Sequence, residues 1–358
     1  MGVNMLAKIS RFQSSATQLK GCRRFTISLH LNSVDSPASA IASSFLKRFQ
    51  SLGPQIRSQI IDANQLQLLT LTLNRPSLFP TAPSLGNSAT NLPAGTPVPP
   101  GYHLVYFTPA FLETELGTDG TDASYNPDAP FTRRMWAGGE VLWPRNADGK
   151  PNFLRVGQEV REKTKVLRAE AKVVKKTGED MIVVGVEKEV SNEDGLSIID
   201  RRNWVFRKAL PVPSIATASN NLTSTAHTSL PKVSTILKNG SIHTRSMVLT
   251  PVTLFRFSAL TFNPHKIHYS VPWARDVEGH KDVVVHGPLN LISILDLWRD
   301  VQAPNDDPTS IVPKRISYRA TSPLYAGDQY SIELKKNGAE GDVQIIGPGG
   351  VAMKAVIE

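Results

Sequence analysis

Apolar residues recur along the chain with two different periods, and the change of period separates helical from extended regions. From Ser36 to about Asn74 they recur at helical spacing, with an interruption at Gly53-Pro54. Later segments carry alternating or β-branched apolar residues, as strands do. These segments are Met135–Trp143, Glu159–Val174, Asp180–Val190 and Leu196–Phe206. The pattern predicts a helical region followed by an antiparallel sheet.

The second half of the chain repeats this order of elements. Residues 211–247, which are rich in Pro, Ser, Thr and Asn, are predicted to form a linker. Leu289–Val301 then places apolar residues on one helix face, with Pro288 in the first turn. Strand patterns follow at Ile311–Ala320, Gln329–Lys335, Val343–Ile346 and Val351–Ile357. The periodicity by itself predicts two domains of the α+β class.

The formal net charge of +9 over 358 residues is unevenly distributed. Residues 1–34 hold five basic residues and no acidic one, and subtracting those five leaves +4 for the remaining 324. The net charge of the chain therefore gives little support to the prediction of a nucleic-acid partner. A segment rich in Arg, Ser and Gln and free of acids is typical of a mitochondrial transit peptide, so we expect residues 1–34 to direct the protein to the mitochondrial matrix.

Cysteine usage and the absence of common motifs exclude several classes of site. Cys22, the one cysteine, lies in the predicted transit peptide, so the mature protein is expected to lack disulfides and thiol nucleophiles. HExxH, GxSxG, Walker and helix-preceding GxGxxG sequences are absent, so we predict no metal and no other cofactor. No apolar run approaches the roughly 20 residues of a membrane span. A monomer and a homodimer are both compatible with the sequence.

The segment Phe255–Leu297 carries the strongest chemical signal. Asn263, His265 and His268 lie within six positions, and His286-Gly287 directly precedes the predicted amphipathic helix. Histidine transfers protons well near neutral pH, and a helix N-terminus offers N–H donors where negative charge develops. This combination is typical of an enzyme that enolises a thioester.

The same segment resembles the MaoC-like family of (R)-specific hydratases and dehydratases. The resemblance starts at Phe257-Ser258-Ala259-Leu260 and includes the His286-Gly287 step. Without gaps, the family's Asp, Asn and His columns fall on Asn263, His265 and His268. Arg133–Gly139 and Asn203–Arg207 resemble the N-terminal domain of two-domain members, which include fungal mitochondrial hydroxyacyl-thioester dehydratases type 2 and mesaconyl-CoA hydratase-like proteins.

The resemblance implies a double hot-dog fold, with two antiparallel sheets that each wrap a long central helix. The N-terminal hot dog would span 36–210 and lack the catalytic motif, and the catalytic hot dog would span 248–358. The implied activity is dehydration of (3R)-hydroxyacyl thioesters on acyl carrier protein to trans-2-enoyl thioesters, in mitochondrial type II fatty acid synthesis. The thioester itself acidifies C2–H, so no cofactor is implied.

The resemblance also implies roles for individual residues. His268 is the principal proton-transfer group, and the Gly287 N–H faces the thioester carbonyl oxygen. Asn263 cannot act as an acid or base, so we hypothesise that His265 takes over that proton transfer. His286 is expected to be structural. Replacement carboxylates nearest in sequence are Asp276, Glu278 and Asp282.

Several interpretations stay open at this level. Arg133, Arg134 and Arg207 are candidate contacts for the phosphates of coenzyme A or phosphopantetheine, although solvated charges at strand ends are the simpler explanation. The substrate is either an acyl carrier protein thioester or a coenzyme A thioester, for example a mesaconyl-CoA-like one. A hot-dog thioesterase and a noncatalytic acyl-binding subunit are further alternatives.

Overall fold

A computed structural model describes residues 36–80, 82–86, 92–175, 177–210, 230–303, 307 and 309–358. The predicted transit peptide and residues 211–229 of the predicted linker lie outside these ranges. The described helices are α1 (Pro37–Leu52), α2 (Ala63–Thr72), α3 (Pro251–Leu260) and α4 (Gly287–Gln302). None of them is long and apolar enough to cross a membrane.

The described strands form one continuous antiparallel sheet. The N-terminal half contributes β1 (Gln55–Ile60), β2 (Arg133–Leu142), β3 (Glu159–Val173), β4 (Asp180–Asn192) and β5 (Gly195–Arg207). The C-terminal half contributes β6 (Lys232–Val233), β7 (Leu237–Asn239), β8 (Ile242–Val248), β9 (Arg315–Ala320), β10 (Gln329–Asn337), β11 (Glu340–Gly347) and β12 (Gly350–Ile357). The order is β1-β3-β4-β5-β2-β9-β12-β11-β10-β8-β6, with β7 on β8. The pairing of β2 with β9 joins the two halves edge to edge.

Local signals in the sequence set the ends of α1. The Ser36 side chain accepts a hydrogen bond from the N–H of Ser39 at 3.2 Å, and Pro37 occupies the first turn. Gly53, at φ 68°, ends the helix. The predicted interruption at Gly53-Pro54 is therefore confirmed, but the chain continues as β1, which pairs with β3. Periodicity missed β1 because five of its six side chains are exposed, so little apolar alternation marks it.

The predicted linker is corrected at its C-terminal end. Residues 242–248 form β8, which pairs with β10 along seven residues and so belongs to the C-terminal sheet. The shorter β6 and β7 also pair with β8. The Ser- and Thr-rich composition concealed these strands because β8 lies near the sheet edge and needs few large apolar residues.

The C-terminal half encloses α4 in the main apolar core. Eleven of the sixteen residues of α4 are buried, and the leucines and isoleucines among them belong to this core. At the far end of the helix, Arg75 donates hydrogen bonds to both carboxylate oxygens of Asp300, at 2.7 and 2.8 Å. A central helix wrapped by an antiparallel sheet, combined with a second half of the same order, makes this a double hot-dog fold.

The inner face of the N-terminal half is divided into three zones. Val160, Val190 and Ile198 join the main core at one end. At the other end α1 packs on a second apolar cluster, which includes Phe45 and Phe206. Between these ends lie ionisable and hydroxyl side chains, which we call the polar band: Glu162, Thr164, Lys188, Asp200 and Arg202.

The four ionisable side chains of the polar band form two ion pairs. Lys188 Nζ lies 2.8 Å from Glu162 Oε1, and Arg202 donates to Asp200 Oδ2. Burial lowers the pKa of the Lys188 ammonium. Burial opposes the charge on Asp200, and Arg202 nevertheless holds the pKa of that carboxyl below its usual value. The charged groups of the polar band are thus maintained inside the fold by each other.

Candidate active site

A cavity of about 2110 Å³ is lined by residues of both halves. The C-terminal half contributes the predicted residues Asn263, His265, His268 and Gly287. The N-terminal half contributes Trp136, the polar band and a loop at residues 117–122. The candidate site is therefore a joint product of the two halves.

Helix α3 and the turn after it position the two histidines. Thr250 caps α3, with its hydroxyl accepting from the N–H of Thr253. Phe262 adopts a left-handed conformation with φ 46°, which reverses the chain just beyond the helix. A short 3-10 turn, Lys266–His268, then aims His265 and His268 toward each other, with ring centroids 5.4 Å apart and nearly perpendicular planes.

His268 presents one ring nitrogen to the cavity. Its Nδ1 lies 2.7 Å from the carbonyl oxygen of Val284 and must donate to it, which leaves Nε2 with its lone pair on the opposite side. Burial lowers the pKa of His268 to about 4. The imidazole is therefore neutral near pH 7 and is equipped to accept a proton.

His265 and Asn263 are joined through the backbone of their loop. The Asn263 Oδ1 accepts a hydrogen bond from the N–H of His265 at 3.2 Å, so this oxygen shapes the turn. Burial, and then the neighbouring His268, lower the pKa of His265 well below its usual value. His265 Nε2 has no hydrogen-bond partner among the described residues.

Gly287 is the first residue of α4, where backbone N–H groups have no partner within the helix. A Cβ atom at this position would lie 2.0 Å from Cε3 of Trp136. The glycine is thus required for the indole of the N-terminal half to pack against the start of α4. Gly287 lines the cavity together with His265 and His268.

His286 packs against His268 and contacts helix α3. Its ring stacks on His268 with centroids 3.6 Å apart, and its Nε2 lies 2.9 Å from the Ser258 hydroxyl. Its side chain is 1% exposed. These contacts hold the ring plane of His268 in place, and the structural role of His286 stays a prediction.

Of the three carboxylates nearest in sequence, Glu278 lines the cavity and lies 2.8 Å from Arg133 Nε, and neither Asp276 nor Asp282 lines the cavity. The carboxylate beside His265 is Asp119, whose Oδ2 is 3.8 Å from His265 Nε2. Sequence reasoning missed Asp119 because it lies in the N-terminal half. The closely spaced glycines and acids of Gly117–Asp122 were its only local signal.

The three predicted arginines lie together at the ends of β2 and β5, where Arg133 is the register partner of Arg207. Arg133 is paired with Glu278, and the Arg207 Nε is buried without a hydrogen-bond partner among the described residues. The Arg134 guanidinium lies over the Trp204 ring, 5.1 Å from its centroid, and 3.8 Å from Asp122. Their predicted contact with phosphate groups stays a prediction.

Comparisons of this sequence with a family model and with known proteins point to the same family. A model of the family described as hydroxyacyl-thioester dehydratase type 2 matches residues 101–326. The mesaconyl-C(4)-CoA hydratase of Chloroflexus aurantiacus is 31% identical over 293 residues, which cover 80% of this chain and 88% of that protein. The mitochondrial hydroxyacyl-thioester dehydratase type 2 of Schizosaccharomyces pombe is 27% identical over 252 residues, covering 68% and 79% respectively.

The fold has counterparts among solved structures. The crystal structure of a MaoC-like dehydratase from Phytophthora capsici superposes with a TM-score of 0.55 at 13% identity, covering 85% of this chain and 95% of that one. The family model and the relatives in turn confirm the resemblance inferred from the motif around His268. The chain belongs to the hydroxyacyl-thioester dehydratase type 2 family and is a hydro-lyase.

Proposed function

We propose that the protein interconverts (3R)-hydroxyacyl and trans-2-enoyl thioesters by reversible addition of water, with His268 as the proton carrier. The observation that carries this proposal is that His268 and Gly287 line the same cavity, so that the His268 Nε2 lone pair and the Gly287 N–H can serve one bound substrate. The first is a neutral base and the second a donor for developing negative charge. Thioester enolisation requires both kinds of group.

The hydration step follows from this arrangement. The water oxygen forms a bond to C3 while one water O–H breaks, and its proton passes to His268 Nε2. The thioester oxygen then carries enolate charge and accepts from the Gly287 N–H, an interaction worth about 3–4 kcal/mol in comparable oxyanion holes. The imidazolium returns the same proton to C2, and the carbonyl re-forms. Dehydration is the reverse, and no net proton is gained or lost.

The physiological substrate that we propose is an acyl group on acyl carrier protein, in type II fatty acid synthesis in the mitochondrial matrix. Support comes from the likeness to the mitochondrial dehydratase of Schizosaccharomyces pombe and from the acid-free, basic residues 1–34. The net charge of +4 on the rest of the chain favours an acidic carrier protein. Arg133 and Arg207 are the candidate contacts for the phosphate of the carrier arm.

A second candidate substrate is a short dicarboxylyl thioester of coenzyme A. Arg134 favours it, because this guanidinium donates no hydrogen bond to the described residues and faces the cavity. A planar guanidinium binds a carboxylate through two parallel hydrogen bonds. The polar band beyond it is a poor surface for a long alkyl chain. The relative from Chloroflexus aurantiacus is named for such a substrate.

One assay separates these substrates. Residues 35–358 are incubated with crotonyl, long-chain trans-2-enoyl and mesaconyl thioesters on both carriers, and loss of the conjugated enoyl absorbance is followed. Absence of hydration with every substrate would contradict the proposed reaction. Substitution of Arg134 by Gln should lower kcat/KM for the dicarboxylyl thioester by about 10- to 100-fold and leave crotonyl hydration nearly unchanged, if that substrate is the right one. Equal loss on both substrates would argue against the second candidate.

A further inference from the structure

The loop at residues 117–122 of the N-terminal half is locked onto the histidine turn of the C-terminal half. The N–H of Lys266 donates to the carbonyl of Asp119 at 2.8 Å, and Lys266 Nζ donates to the carbonyl of Thr118 at 2.7 Å. Gly120 has φ +83°, and a Cβ atom there would lie 2.2 Å from the carbonyl oxygen of Pro264. Only glycine allows this approach, so the loop holds Asp119 in a defined place.

The Asp119 carboxylate has one oxygen committed to its own loop and one turned to the site. Oδ1 accepts from the N–H and the hydroxyl of Thr121, at 2.9 and 2.7 Å. Oδ2 lies 3.8 Å from His265 Nε2. Because Oδ1 is held by two donors, the carboxylate cannot turn away from the histidine. Among the described residues, Nε2 of His265 has no hydrogen-bond partner.

The surroundings of His265 keep its ring neutral, so a nearby carboxylate affects which ring nitrogen carries the hydrogen. His268, Arg134, His280 and Arg133 all act against a positive charge on His265, as does its burial. His265 is therefore neutral at rest, and a neutral imidazole has one N–H and one lone pair. A carboxylate beside Nε2 favours the tautomer with hydrogen on Nε2 and the lone pair on Nδ1.

We propose that Asp119 is a positioning residue that fixes His265 in the Nε2–H tautomer, so that His265 Nδ1 accepts a hydrogen bond from the reacting water. The two O–H groups of that water are then held by two acceptors, His265 Nδ1 and His268 Nε2. The first orients the oxygen toward C3, and the second takes the proton. Asp119 touches no substrate atom, and the N-terminal half thereby contributes to the catalytic geometry. This inference rests on the proposed hydration reaction.

The test combines kinetics with a readout that does not depend on turnover. Asp119→Asn should lower kcat for crotonyl thioester hydration by about 100-fold with little change in KM, because a misplaced reactant costs about that factor. In the His265→Ala background the same substitution should have no further effect. Asp194→Asn is the matched control, since Asp194 is exposed in the turn between β4 and β5 and lies outside the cavity lining.

Nitrogen-15 NMR of labelled histidine supplies the second readout. The wild-type spectrum should show His265 with hydrogen on Nε2, and Asp119→Asn should shift the ring toward the Nδ1–H form. An unchanged tautomer, or an equal loss of kcat in the His265→Ala background, would overturn the proposal. If wild-type protein hydrates nothing, the proposed reaction fails, and the tautomer measurement still decides the role of Asp119.

Discussion

The two halves of the molecule share an order of elements, but they bury their central helices to very different extents. Eleven of the sixteen residues of α4 are buried, whereas α1, of the same length, buries only Ala38, Ala42 and Phe45. Helix α4 fills the C-terminal sheet, and α1 covers only one end of the N-terminal inner face. The space that α1 leaves belongs to the polar band and the cavity.

This difference indicates a division of labour. The C-terminal half is packed densely enough to hold His268, His286 and the start of α4 in fixed relative positions, as proton transfer requires. The N-terminal half has polar side chains in place of part of its apolar core. Its Trp136 and Arg134 line the cavity, and its Asp119 lies beside His265. Its contribution is to the shape and charge of the cavity, and each of the following predictions tests one side of this contrast.

Replacing His268 by Ala tests the C-terminal side and should have the largest effect. Loss of the proposed proton carrier should lower kcat for enoyl thioester hydration by about 1000-fold, within the range for general acid–base groups. Single-turnover absorbance assays measure this loss. His243→Ala on β8, outside the cavity lining, is the control. A His268→Ala enzyme within tenfold of wild type would move the chemistry to another group.

Replacing Asp200 by Asn tests the N-terminal side. The substitution removes the buried partner of Arg202 and leaves a positive charge inside the fold, so the free energy of unfolding should fall by about 3–5 kcal/mol. Urea unfolding followed by tryptophan fluorescence measures it. Asp194→Asn, in the exposed turn between β4 and β5, should change stability by less than about 0.5 kcal/mol. Equal losses in the free energy of unfolding for both variants would mean that water screens the charges of the polar band.

Acid should destabilise the fold through the buried histidines. Unfolded histidine has a pKa near 6.5, whereas burial lowers the pKa of folded His268 to about 4 and that of His286 well below the usual value. As pH falls below 6.5 the unfolded chain takes up protons that the folded chain refuses, so stability falls. His268 alone should cost about 3 kcal/mol between pH 7 and pH 4.

Unfolding in urea at pH values from 7.5 to 4.5 measures this dependence, and His268→Gln should flatten it. Identical pH profiles for the variant and the wild type would show that His268 is not buried in its neutral form. The result bears on the comparison because His268 and His286 lie in the C-terminal half, whereas the polar band of the N-terminal half is stabilised by paired charges.

Much of the fold could be predicted from local pattern. The strands of the N-terminal half from β2 onward, the strands after α4, and α4 itself all follow from alternation or helical spacing, since each has one face in a core. Strand β1 and the strands before α3 could not be predicted in this way. Their side chains are mostly exposed or belong to a short, Ser- and Thr-rich segment, so burial left little trace in the sequence.

The candidate site likewise contains residues that local sequence pattern predicts and residues that it does not predict. His268, His265, Asn263 and Gly287 lie close together in the chain, so motif spacing was sufficient to find them. Asp119 is 146 residues away from His265 in the chain and was not predicted. Asp276, Glu278 and Asp282, which are much closer in sequence, face elsewhere or pair with arginines. Proximity along the chain is a poor guide to which carboxylate meets a histidine in a loop.

The sequence by itself determined the elements with a buried face, the turn that carries the two histidines and the helix start at Gly287, because these depend on neighbouring residues. The tertiary structure alone decided what stands opposite them. Trp136 occupies the space beside Gly287, Asp119 stands beside His265, and the polar band faces the cavity because β2 pairs with β9 and joins the halves. Such contacts are set by strand order and by the packing of whole layers, which no local pattern of residues encodes.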